Sequence, residues 1–363
     1  MLIIYQAYFR QKDDMKLTRL ARFLSPIVLA VAAISPAQAQ SQSHSLAQSG
    51  GFEAAFDRAF GTEVRAPRDF TPSYSSPFEA RLAQLADGSE GRIGVAALDL
   101  STGRQISIYG DQRFPLASTS KIAIAAAYLE GVDQGRWSLT AEYPLLVPVN
   151  STPLSSARAP VRQGEYLPAH ELIDLMITRS SNPATDALLA AMGGVGPVND
   201  WMRRAGITEF SLDRDIATLV RDNREFDARH YIDPRDSATP EAMVQLLAGI
   251  YQGRWLSRES RHIIIDAMER CRTGSTRIPA LMPAGVTVAH KTGTLHRVAS
   301  DIGIITGPDG RTIVVAIYVT GQNSPTDRNA RIATIARALY DGFADEAQRG
   351  NGSQGNYGYS AAR

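Results

Sequence analysis

Cysteine is nearly missing from this 363-residue chain. The single one, Cys271, excludes an internal disulfide and any zinc cluster built on cysteines. The six histidines never adopt an HExxH spacing, so no metal centre is expected, and no motif calls for an organic cofactor. Net charge is missing too. The 38 basic and 37 acidic residues leave +1, which gives no overall pull toward nucleic acid or an anionic membrane. No internal repeat is visible. Lysine is the most informative shortage: the 38 basic residues include only Lys12, Lys16, Lys121 and Lys291, and the other 34 are arginines. A buried amine beside other cations can lose its proton, whereas a guanidinium effectively cannot. Lysines kept against such a bias are the first places to look for chemistry. What is present, 44% hydrophobic and 21% charged residues, describes a soluble globular protein with a sizeable core.

The N-terminus carries its own signal. A basic stretch from Met15 to Arg22 precedes the apolar run Phe23–Ile34, and Ala37-Gln38-Ala39 supplies small residues at cleavage positions. This pattern predicts a signal peptide over 1–39, cut before Gln40, with Met15 as an alternative start. The apolar run is shorter than the roughly 20 residues of a bilayer-spanning anchor, and no cysteine stands at the cut for lipid attachment. A periplasmic or secreted location follows as the expectation, with no stable membrane anchor.

Residues 40–75, rich in Ser, Gln, Gly and Pro, read as a flexible linker. Ser76 before Pro77 starts a helix. Ile93–Leu100, the turn Ser101-Thr102-Gly103 and Gln105–Tyr109 form a hairpin signal. Helical patterns occupy the middle: Ile122–Leu129, His170–Ile177, Ala184–Met192, Pro240–Tyr251 and Arg258–Met268, the last capped by Ser257. Strands return at Val286–His290, Ser300–Thr306 and Thr312–Thr320, followed by a helix from Asp327 to Phe343. Residues 346–363 read as a disordered tail. The expected fold is α/β (α+β). One antiparallel sheet built from both termini is flanked by helices, with an inserted all-helical lobe, in a single domain over 76–345.

Three short stretches carry chemistry. Ser118-Thr119-Ser120-Lys121 is an SxxK at a helix start, which sets both side chains on one face a turn apart; the plain alternative is an N-cap. Ser180-Ser181-Asn182 lies between two helical segments, where an ordinary polar turn before Pro183 is the plain alternative. Lys291-Thr292-Gly293-Thr294 follows a strand. Lys121 and Lys291 both fall inside these motifs, in the order SxxK, SxN, KTG, and on helix start, interhelical loop and strand respectively.

On these residues the chain resembles the penicillin-recognising serine enzymes, most closely the class A β-lactamase branch, from about Pro77 to Phe343. Leu281–Val286 ahead of the KTG motif and Arg235–Met243 add to the similarity. The resemblance implies that Ser118 is the nucleophile, that Lys121 takes its proton, and that Ser180 protonates the departing nitrogen. It further implies that Asn182 holds the substrate's side-chain amide, that Lys291 and Thr292 bind its carboxylate with Gly293 and Thr294 also in the substrate-binding set, and that the N–H groups of Ser118 and Thr294 form the oxyanion hole. A small anionic substrate and a monomer are expected.

Two departures stand out. Ser181 replaces the family's usual aspartate. More seriously, the glutamate that activates the deacylating water has no counterpart: aligned from Leu212-Asp213-Arg214, its position holds Ile216. Asp215, Asp222 and Glu225 are the carboxylates left as candidate bases in a lengthened loop, and Arg214 with Asp236 is expected to close that loop by an ion pair. Hydrolysis of β-lactams through an acyl-enzyme is the leading expectation. A peptidoglycan D,D-peptidase or esterase-like hydrolase, or a non-turnover binder of penicillin or muropeptides, are the alternatives.

Overall fold

The computed structural model describes residues 76–88, 90–155 and 157–354. The expected signal peptide, the linker over 40–75 and the tail over 355–363 lie outside the described residues.

The chain begins with α1 (Pro77–Leu85), the hairpin β1 (Ile93–Asp99) and β2 (Gln105–Ile108), then the short strand β3 (Phe114–Pro115). A 3-10 turn at Ala117–Ser120 leads into α2 (Lys121–Asp133), β4 (Glu142–Pro148) and β5 (Val161–Pro168). Next come α3 (Ala169–Thr178), α4 (Asn182–Ala191), α5 (Gly196–Arg204), β6 (Phe210–Ser211), α6 (Ile216–Arg221) and β7 (Ser237–Ala238). α7 (Pro240–Tyr251), α8 (Arg258–Glu269) and a second 3-10 turn at Ile278–Leu281 precede β8 (Thr287–Leu295), β9 (Val298–Thr306), β10 (Thr312–Thr320) and α9 (Pro325–Gln354).

The main sheet is antiparallel, in the order β2-β1-β10-β9-β8, so strands from both ends of the domain pair at its centre, Ile93 opposite Val319. β10 shows why its sequence is a nearly unbroken apolar run: both its faces are buried. Val314, Ala316 and Tyr318 pack toward the helical lobe. Ile313, Val315, Ile317 and Val319 pack toward α1 and α9, whose Phe78, Leu82, Ile332, Ile335, Leu339 and Phe343 cover the opposite face. Each fully buried aliphatic side chain of this kind contributes about 2 kcal/mol. Local signals fix the helix starts: Ser76, Thr239 and Ser257 each accept a hydrogen bond from a backbone N–H three residues on. α2 is buried on nearly every side, which its sequence KIAIAAAYLEGVD permits, and the buried set includes Lys121.

Three expectations are corrected. The lobe is not all-helical: β4 and β5 form a two-stranded antiparallel ribbon within it. The strand expected to end at His290 runs on through Lys291-Thr292-Gly293-Thr294 to Leu295, because all of these pair with β9. The helix expected to stop near Phe343 continues to Gln354, so the first part of the expected tail is helical.

Candidate active site

Ser118 lies in the 3-10 turn directly before α2, with its residue half-buried. The turn is held from within: Thr119 Oγ1 donates to Leu116 O at 2.6 Å and meets the Tyr318 hydroxyl at 2.9 Å, while Ser120 Oγ donates to Ala117 O at 2.9 Å. Neither Ser118 nor Thr119 caps a helix, which removes the plain reading of the SxxK motif. Ala117 is bent to φ +48°, a conformation that costs energy for any residue with a Cβ and that recurs where chemistry needs a fixed geometry. Ser180 (φ +56°) and Asp236 (φ +48°) share it.

The two lysines converge. Lys121 Nζ donates to Ser180 O at 2.7 Å, to Asn182 Oδ1 at 2.7 Å and to Ser180 Oγ at 3.2 Å. Lys291 Nζ donates to the same Ser180 Oγ at 3.0 Å and to Thr292 O at 3.0 Å. Both lysines are fully buried. Burial, the neighbouring charge of Lys291 and an opposing pull from Asp186 leave the Lys121 ammonium well below its ordinary range. Lys291 is lowered to about 8, chiefly by burial and against the raising effect of Cys271 and Asp301. Above them Ser118, Ser180 and Asn182 are half-buried and Thr294 is exposed, so the accessible rim is the one a substrate would meet.

Gly293 explains how the strand reaches the serine. A Cβ there would stand 3.0 Å from Ala117 Cβ and from Leu116 O, and 2.3 Å from Ser300 Oγ, so β8 lies directly against the turn bearing Ser118. With β2, β8 is one of the two edge strands of the sheet. Beneath it Arg277 donates to Gly293 O and Ser300 O, both at 2.8 Å, and to Thr294 Oγ1 at 2.7 Å. Thr292 Oγ1 meets Thr273 Oγ1 at 2.6 Å. His290 Nδ1 lies within hydrogen-bonding range of both Asp301 oxygens, at 3.0 and 2.9 Å. Sequence reasoning missed Arg277, Thr273 and Asp301. Arg277 has no local signal among 34 arginines.

Lys121, Ser180, Asn182 and Lys291 are thus joined by hydrogen bonds, Thr292, Gly293 and Thr294 continue along β8, and Ser118 lies in the turn that Gly293 packs against, but the three candidate bases do not join them. Asp215 caps α6, accepting from Thr218 N at 2.8 Å. Asp222 is paired with Arg221 and accepts from Leu154 N at 2.7 Å, tying α6 to the ribbon loop. Glu225 binds Arg235 at 2.7 Å. Ile216, at the position of the family's glutamate, is buried in the lobe core. The expected loop closure is present: Asp236 accepts from Arg214 Nε at 2.6 Å and from the N–H groups of Asp213 and Arg214 at 2.8 and 3.0 Å. A carboxylate the sequence reading passed over, Asp186 on α4, instead lies near Lys121. Among the described residues no group of three or more His, Cys, Asp and Glu side chains is placed to hold a metal ion.

Comparison with known proteins agrees with this geometry. The profile of the Beta-lactamase enzyme family matches residues 77–343. Beta-lactamase VEB-1 of Pseudomonas aeruginosa is 26% identical over 280 residues, covering 73% of this chain and 90% of that protein. Extended-spectrum beta-lactamase PER-1 of the same organism is 28% identical over 285 residues, covering 75% and 89%. Among solved structures, the last common ancestor of Gram-negative bacteria class A beta-lactamase superposes with a TM-score of 0.64 at 35% identity, over 74% of this chain and all of that one. With the two lysines joined at Ser180 on this fold, the chain belongs to the beta-lactamase enzyme family, as a class A-like serine hydrolase.

Proposed function

We propose that the protein hydrolyses β-lactams through an ester formed on Ser118. The observation that carries this reading is the shared contact of Lys121 and Lys291 with the Ser180 hydroxyl, beside the turn that presents Ser118. In its neutral form Lys121 accepts the Ser118 proton as Oγ attacks the lactam carbonyl. The N–H groups of Ser118 and Thr294 hold the oxyanion, each donor being worth about 3 kcal/mol in such a role. As the C–N bond breaks, Ser180 gives its proton to the nitrogen and is resupplied from Lys121, which returns to the neutral amine. Lys291 and Thr292 receive the substrate carboxylate, Gly293 lets the strand approach, and Asn182 orients the side-chain amide. Since Asp215, Asp222 and Glu225 are committed to a cap and to ion pairs, Lys121 also accepts the proton of the water that attacks the ester and returns it to Ser118 Oγ as the ester C–O bond breaks. The N-terminal stretch over 15–39 supports action outside the cytoplasm. Among the described residues no helix is long and apolar enough to cross a membrane.

Intact-mass analysis after penicillin exposure, with turnover of a chromogenic cephalosporin alongside, tests this. Wild type is expected to turn over repeatedly and pass through one penicilloyl adduct, and Ser118→Ala to form none. A single stoichiometric burst with a stable adduct would overturn hydrolysis in favour of a D,D-peptidase-like enzyme. An adduct persisting in Ser118→Ala would remove Ser118 from the chemistry.

A further inference from the structure

Four residues lie side by side across the main sheet: Gly94 on β1 opposite Tyr318 on β10, Tyr318 opposite Ser300 on β9, and Ser300 opposite Gly293 on β8. Residues paired in this way share a face. This row faces the segment that leads into Ser118: a Cβ on Gly94 would stand 2.3 Å from the Phe114 ring, and one on Gly293 would meet Ala117 and Leu116. Small residues thus let the segment settle onto the sheet, and the one large side chain of the row reaches into it. Tyr318 is fully buried, with its ring centroid 5.8 Å from that of Phe114 and its hydroxyl 2.9 Å from Thr119 Oγ1. Thr119 has a single hydroxyl proton and gives it to Leu116 O at 2.6 Å. The proton between the two hydroxyls therefore belongs to Tyr318. Burial raises the phenol well above its ordinary range, against the lowering effect of Thr119 and with Asp301 adding to the rise, so Tyr318 stays a donor.

We propose that Tyr318 is a positioning residue for acylation, its donated hydrogen bond fixing the turn that aims Ser118. This rests on the reading of Ser118 as the nucleophile. Ala117, directly before it, is held at φ +48°, and a backbone in that region persists only where its surroundings over-determine it. Leu116 N donates to Asp236 O at 2.8 Å, Thr119 N to Leu116 O at 3.0 Å and Ser120 Oγ to Ala117 O at 2.9 Å. Those partners lie in the turn itself or in the 212–236 loop. Tyr318 ties the same turn to β10, the central strand of the sheet. With that tie, the Oγ that attacks and the N–H that receives the oxyanion keep one orientation. Without it the turn can relax toward an unstrained backbone, while Lys291 and Thr292, on β8, stay where they are.

The test is quenched-flow mass analysis of penicilloyl gain over a range of penicillin concentrations, with folded enzyme measured by circular dichroism. Tyr318→Phe is expected to lower the limiting rate per folded molecule about tenfold and to leave the half-saturating concentration unchanged. Thr119→Val, which removes the acceptor, is expected to show the same split, and the double variant to lose no more than Thr119→Val alone. Thr119→Ser keeps the hydroxyl and should acylate at the wild-type rate. A merely structural tyrosine would lower Tm and leave the limiting rate per folded molecule in place. An unchanged limiting rate in Tyr318→Phe therefore overturns the proposal, as does a double variant whose losses multiply. If Tyr318→Phe does not fold, Thr119→Val against Thr119→Ser decides, and equal limiting rates in those two overturn it. Adduct formation by Ser118→Ala would sink the acyl-enzyme reading whatever Tyr318→Phe does, so the two failures are distinguishable.

Discussion

Lys121 and Lys291 stand buried in a protein that, apart from Lys12 and Lys16, fills its other basic positions with arginine, and exchanging them for arginine separates their roles. Lys121→Arg keeps the positive charge but removes any group that can be deprotonated. The rate of mass gain with penicillin is expected to fall by about 10²–10⁴-fold. Lys291 works in the opposite sense, as a retained cation for an anionic substrate. With the group lowered to about 8, the cation is present below that pH and lost above it, so KM rises through an alkaline limb near pH 8. Lys291→Arg is expected to abolish this limb in a pH profile, because a guanidinium does not titrate there. Gly293→Ala probes the approach of strand to turn. Ser300 Oγ and the Leu116 carbonyl leave no space for a methyl, so acylation and Tm should both drop.

At the scale of elements, the 212–236 loop is closed at its base by Asp236, whose buried carboxylate binds Arg214 and two N–H groups. Removing the carboxylate leaves the N–H groups of Asp213 and Arg214 without their acceptor, while Arg214 keeps Glu225 and Asp233 within 4 Å. Asp236→Ala is expected to cost about 1–3 kcal/mol in chemical denaturation. Sequence reasoning found the motifs here because their residue types and elements agree, and β10 and α7 fall where their apolar patterns end. The ribbon was missed for a physical reason: Pro144, Pro148 and Pro168 read as strand breakers, and the pairing accommodates Pro144 at an irregularity of register. β8 was cut short because its polar Lys-Thr-Gly run does not look like a buried strand, yet Lys291, Thr292 and Gly293 are all buried. Asp186 was passed over as one acid in an apolar helix. Only the return of Ile216 and Ala217 from thirty residues away gives it partners.

At the scale of the whole molecule, stability carries its own pH dependence. Burial alone would lower the His290 imidazole, but Asp301 and, less strongly, Cys271 raise it from 6.5 to about 10. A raised folded-state value contributes stability that is complete below pH 6.5 and is lost as pH climbs through about 10. Wild type should therefore lose Tm steadily from pH 7 to 10, and His290→Gln should show a flatter profile from a lower start. A slope identical in the two proteins would show that the pair has no such effect. The sheet order has a further consequence. Ser118 is made early and Lys291 late, while β1, paired with β2 from the start, finds its second neighbour only when β10 has been synthesised. A polypeptide emerging N-terminus first thus carries its nucleophile long before it has a pocket, and holds an unpaired hairpin until the last strand arrives. Activity should switch on in one step near the end of synthesis, and a nascent chain stopped before Thr312 should have none.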